Sequence, residues 1–131
     1  MNELVPKRQL TQAGLPQLPA LVIAAGDKGA FRFVEFFTAQ IRNPNTRTAY
    51  GRQVVRFLKW CEKHGASSLE QITSIAVAAY IEELGKEMKP ASVKQALAAI
   101  RHCFDWLVTG HIIGANPATS VRGPKHVVRE G

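Results

Sequence analysis

The chain has 131 residues, 46% of them hydrophobic and 21% charged, which is enough for one packed core and too little for a typical multidomain enzyme. That balance excludes bulk disorder, and the longest apolar run, Leu18 to Ala25, is broken by Pro19 and falls far short of the roughly 18 residues a membrane span needs. Seventeen Lys and Arg against ten Asp and Glu leave a net charge of +7, which favours a polyanionic partner such as nucleic acid.

Residues 1–27 contain Pro6, Pro16, Pro19, Gly14 and Gly26 with no sustained period, and are expected to form a flexible leader. Ala30, Phe31, Val34, Phe37 and Ile41 then recur at helical spacing. With Asp27 placed to cap and Asn43-Pro44 blocking continuation, they predict a first helix over about 28–42. Asn45 is the expected N-cap of a second helix running to His64, with Gly65 where a left-handed C-terminal cap is wanted. Val77, Tyr80, Ile81 and Leu84 mark a third helix over about 74–86. After the basic turn with Lys89-Pro90, Val93, Leu97, Ile100, Phe104 and Leu107 mark a fourth, closed by Gly110. Asn116-Pro117, a turn of helix around Ala118 to Val121 and a polar tail follow. No strand pattern or internal repeat occurs, so the expected architecture is all-α, with four main helices over residues 28–118.

The second helix carries the most distinctive pattern. At 100° per residue, Tyr50, Val54, Phe57, Leu58 and Cys61 form one apolar face, while Arg52, Arg56, Lys59 and Lys63 line up roughly opposite, with Thr48 extending the line. Cations stacked at this spacing repel one another, and only Glu62 opposes them locally. Phosphates along a duplex would offset that repulsion by counterion release. Thr46, Arg47 and Thr48 at the helix start add hydroxyls and free N–H groups of the kind that position a phosphate. On the fourth helix, Ser92, Lys94, Gln95, Arg101 and His102 lie off the apolar face, with Lys89 just before it. Gln can read adenine and Arg or Lys guanine in a major groove. Glu82, Glu83 and Glu87 make the third helix acidic and are expected to point it away from DNA.

Only two cysteines are present, Cys61 and Cys103, a usage that fits the reducing cytoplasm better than a stapled secreted scaffold, and the N-terminus MNELVPKRQL has no secretory-signal pattern. A metal reading that joins Cys61 and His64 to His102 and Cys103 is weak, because both thiols lie on apolar faces and neither CxxC nor HxxxH occurs. No nucleophile elbow or phosphate loop is present. No metal, cofactor or catalytic residue is therefore expected in this chain.

The strings NPNTRTAYGRQVVRFLKWCEKHG, ITSIAVAAYIEELG, ASVKQALAAIRHCFDWLVTG and GANPATSVRGPK, in that order, resemble the core-binding, SAM-like N-terminal domain of tyrosine recombinases, the phage integrase family. The resemblance covers about residues 30–125. It implies a four-helix module of two crossed hairpins that clamps one face of double-stranded DNA, with contacts from the helices matching residues 46–64 and 91–109. It also implies a separate catalytic domain, toward which residues 119–131 would be the linker, and neighbouring recombinase protomers in a synaptic complex; the fragment alone is expected to be monomeric. Catalysis in such proteins uses a nucleophilic Tyr with Arg and His-x-x-Arg groups. His126 to Arg129 has that spacing by coincidence, and Tyr50 and Tyr80 fall among core residues. The rival readings are a helix-turn-helix transcription regulator, which would need a short recognition helix after a tight turn, and a helical protein-interaction domain whose basic face meets acidic partners.

Overall fold

The computed structural model describes Leu15 and residues 17–124. Its helices are α1 (Ala20–Ala24), α2 (Gly26–Glu35), α3 (Pro44–Lys63), α4 (Ser74–Gly85) and α5 (Pro90–Thr109). A π-helical turn, Phe36–Gln40, prolongs α2, and a 3-10 turn, Leu69–Gln71, precedes α4. The described residues contain no strand, so the all-α expectation holds, with five helices in place of four.

Local chemistry sets the helix ends. The cap of α3 is Asn43, not the expected Asn45: its side chain accepts hydrogen bonds from the backbone N–H of Asn45 (2.8 Å) and Thr46 (3.3 Å). Pro44 therefore begins the helix, where its missing N–H costs nothing, and holds Asn43 in the extended conformation a cap requires. At the other end Gly65 adopts φ +97°, and the bonds Ala66 N–H to Cys61 O (3.0 Å) and Gly65 N–H to Glu62 O (3.1 Å) complete a Schellman motif. Thr73 caps α4 by accepting from Ala76 N–H (3.1 Å), and Pro90 opens α5 as Pro44 opens α3.

α3 and α5 pack along each other, with α2 and α4 against this pair. Phe57 is the hinge point of the core: its ring meets Tyr80 of α4 at 5.0 Å and Phe104 of α5 at 6.2 Å between centroids. The periodic residues predicted for the last two helices are all buried. The first helix differs from expectation. It starts at Gly26 without a side-chain cap, and Phe31 is 42% exposed, while Phe33, Phe36 and Phe37 fill the core. The π turn shifts the register by one residue and lets these three rings cluster edge to face.

The leader expectation needs correcting for its described part. Leu15, Leu21 and Val22 are buried, and α1 packs on α3. A five-residue helix opened by Pro19 is too short to show a period, which is why Leu21 and Val22 did not register as helical. Residues 1–14 lie outside the described residues. At the other end, Ala118 to Val121 form a hydrogen-bonded turn, not a helical one, and bury Ala118 and Val121 against the bundle.

Candidate nucleic-acid interface

Arg52, Arg56, Lys59 and Lys63 are all exposed on the outer face of α3, opposite the buried Val54, Phe57, Leu58 and Cys61. Tyr50, expected in that core face, is half-buried and meets His102 of α5. The ridge is not purely cationic. Arg56 Nη2 lies 3.0 Å from Glu87 Oε2, both residues exposed, and Arg56 Nη1 also reaches the Met88 sulfur at 3.9 Å. An exposed pair of this kind contributes about 0–1 kcal/mol, so phosphate can compete for Arg56. Glu83 accepts from Trp60 Nε1 at 3.0 Å. Glu83 of α4 and Glu87 just past its end thus come against the second half of α3, contrary to the expectation that the acidic residues point away from the basic face.

That contact also locates α5. Glu87 and Met88 belong to the turn between α4 and α5, so Arg56 sits beside the turn that carries the exposed Lys86 and Lys89. Lys86 was passed over in the sequence, where nothing distinguishes it from an ordinary surface lysine. Lys94 and Gln95 are exposed on the first half of α5, and Ser92 is half-buried.

Two predicted residues are used differently. Arg101 is turned into the protein: its Nε donates to Ala118 O at 3.1 Å and its Nη2 to Val121 O. Asn116 reinforces the same junction, donating from Nδ2 to Arg101 O (2.9 Å) and Asp105 Oδ1 (2.7 Å). Arg47 folds back on the end of the π turn, where Nε and Nη2 donate to Ile41 O at 3.2 and 2.7 Å. Thr46 and Thr48 are exposed at the start of α3, and Thr48 Oγ1 donates within the helix to Pro44 O (3.0 Å).

Beside the ridge the N-terminal segment creates a recess of about 380 Å³, bounded by Leu15, Thr48, Gly51, Arg52, Val55, Arg56 and Lys59. Sequence reasoning missed Leu15 and Val55 here, because the recess exists only once the segment carrying Leu15 lies against α3.

The buried groups are chemically quiet. Burial, with Glu62 adding to it, pushes the Cys61 thiol up to about 12, and burial pushes Cys103 up as well. Tyr80 is raised to about 12, chiefly by burial, and its hydroxyl has no hydrogen-bond partner among the described residues. Both thiols and this phenol are therefore neutral near pH 7. Among the described residues no group of three or more His, Cys, Asp or Glu is placed to hold a metal, and no helix is long and apolar enough to cross a membrane. The His126 to Arg129 string lies outside the described residues.

Residues 32–111 match the family model described as the phage integrase N-terminal SAM-like domain. Among similar proteins, the tyrosine recombinase XerC of Shigella flexneri serotype 5b (strain 8401) is 29% identical over 96 residues, which is 72% of this chain and 32% of that protein. The tyrosine recombinase XerC of Salmonella typhi is 31% identical over the same shares of both, and that of Escherichia coli O139:H28 (strain E24377A / ETEC) is 29% identical. The chain thus spans about a third of the length of these relatives. No solved structure matches. The matched span runs from within α2 to just past the end of α5 and takes in the whole of α3 and α4, so the chain belongs to the phage integrase family as an N-terminal, SAM-like domain of the tyrosine recombinase type.

Proposed function

We propose that this domain binds double-stranded DNA through the outer face of α3 and the first half of α5, holding and orienting the target of a site-specific tyrosine recombinase. The observation that carries the reading is the ridge of Arg52, Arg56, Lys59 and Lys63, exposed along one face of a 20-residue helix. Lys89, Lys94, Gln95 and Ser92 would extend it on α5, and Thr46 and Thr48 at the start of α3. Arg47 and Arg101 act from behind, fixing the backbone that presents the contact residues. Phosphate contacts of this kind position the protein, and groups reaching base edges select sequence.

No residue of this chain is assigned to strand cleavage, which in the whole recombinase would fall to residues outside it. Partner protomers would meet the domain in the assembled synapse, and its place of action would be the cytoplasm, where bacterial DNA lies.

The test is a salt titration of duplex binding by the 131-residue chain. Affinity should fall steeply as salt rises, and the double replacement of Arg52 and Arg56 by Ala should flatten the logarithmic slope by roughly two. A slope unchanged by that replacement removes the ridge from the interface. Absence of any salt-dependent duplex binding would instead favour a basic face meant for acidic protein partners.

A further inference from the structure

The recess beside the ridge has a chemistry that the cations alone do not account for. Leu15, itself 2% exposed, and the buried Gly51 form its floor. Val55 stands half-buried in its wall, and the exposed Arg52, Arg56 and Lys59 line it along one side. Three positive charges thus flank an apolar hollow. Among the described residues the one carboxylate paired to any of them, Glu87 on Arg56, reaches in from the α4–α5 turn and takes no part in lining the hollow. A ligand that fits must present negative charge beside an apolar group.

Duplex DNA offers that arrangement. Phosphates border its major groove, and the groove floor exposes one kind of apolar projection, the C5-methyl group of thymine. Val55 stands to the same side of all three cations round α3, roughly 60° from Arg52 and roughly 100° from Arg56, so with the cations on phosphates it would turn toward the groove. Thymine methyls are recognised by apolar contact of this sort, whereas arginine and lysine read guanine. Leu15 lies outside the family-matched span of 32–111, so the hollow is built in part by a segment that this match does not include.

We propose that this recess receives the C5-methyl groups of pyrimidines in the major groove, which makes Val55, backed by Leu15, a base-selecting residue among contacts that otherwise only position the DNA. The inference rests on the DNA-binding reading above and adds a source of selectivity that the ridge lacks.

Two duplexes of one A·T-rich sequence, one containing thymine and the other deoxyuridine throughout, separate the two ideas when titrated with the 131-residue chain. The thymine duplex should bind about fourfold tighter for each methyl group seated, the factor expected for burying one such group. In V55A, with its helical content checked by circular dichroism, the ratio should fall toward one. A second comparison leaves the protein untouched: replacing cytosine by 5-methylcytosine in a G·C-rich duplex should raise affinity by a similar factor. Equal affinity for the thymine and deoxyuridine duplexes, with the salt slope intact, overturns the recess and leaves DNA binding standing. A thymine preference that persists in V55A, or that has no counterpart for 5-methylcytosine, also overturns it, the second pointing to duplex shape instead. Failure to bind either duplex at low salt overturns both readings.

Discussion

α3 and α5 are each 20 residues long, each opens on a proline, and they pack along each other, yet they handle their cations in opposite ways. On α3 the four ridge cations lie on the exposed face, and among the described residues only Arg56 of the four is ion-paired to a carboxylate. On α5, Arg101 is covered by the chain that returns after the helix, and donates to two backbone carbonyls there. In the sequence both are basic residues off an apolar stripe. What separates them is whether a later segment folds over that side of the helix. A cationic stripe is thus evidence of a binding face only where nothing downstream lies across it.

The largest expected effect concerns what the two helices share, a seam with one buried thiol from each and Tyr80 of α4 against it. The Cys61 thiol, ordinarily at 9.0, is held near 12, and the Tyr80 phenol is raised from 10.0 to about 12. Because both release their protons more readily in the unfolded chain, stability is full below about pH 9 and is lost as pH rises toward 12. Thermal unfolding followed between pH 8 and pH 11 should show a steep fall in midpoint over that window, smaller in C61A. A flat profile would mean that the seam admits water.

The next test separates the helices directly. Arg101→Ala should destabilise the fold by about 2–3 kcal/mol, since it removes two charge-assisted bonds, taking the guanidinium donor from Val121 O and leaving Ala118 O with the Val121 N–H alone. Its salt slope for DNA should be that of the parent. Arg52→Ala should do the reverse, with little change in unfolding midpoint and a lower slope. If Arg101→Ala reduces the slope instead, the contrast between the helices disappears.

The smallest effect sharpens the one compromised position on the ridge. Glu87→Gln releases Arg56 from its exposed carboxylate and should alter stability by less than about 1 kcal/mol. Duplex affinity at low salt should rise by about twofold to fivefold, because a competitor for phosphate and one negative charge are both removed. Weaker binding would show that Glu87 orients Arg56 rather than competing with DNA for it.

The fold was largely legible where helices are long. The apolar residues of α4 and α5 recur often enough to identify the buried face, and Gly65 and Gly110 close helices where expected. α1 was not legible, because five residues cannot display a period and its burial depends on docking against α3. The Asn43 cap was masked by Asn45, an equally good capping residue two positions on. Phe31 was misplaced because it stands roughly 100° round the helix from Ala30, on the side away from the buried Phe33, and a large apolar residue there reads as core by type alone. For the candidate interface, the angular position of Arg52, Arg56, Lys59 and Lys63 followed from 100° steps alone. The partners of Arg47 and Arg101 did not, since their acceptors are backbone carbonyls, which every residue possesses. The contact between Arg56 and Glu87, 31 positions apart, was likewise beyond any local pattern.

The junction made by Arg101 has a mechanical consequence. From Ile113 onward the polypeptide doubles back beside α5, with Ala118 and Val121 fastened at Arg101 and Gly123 close to Leu97 and Lys94. Force applied at Pro124 is therefore carried into α5 through these contacts. Swinging the returning segment away must break the Arg101 bonds to Ala118 O and Val121 O together with those from Asn116 to Arg101 O and Asp105, so the two side chains work as a latch that keeps residues 116–121 on the bundle.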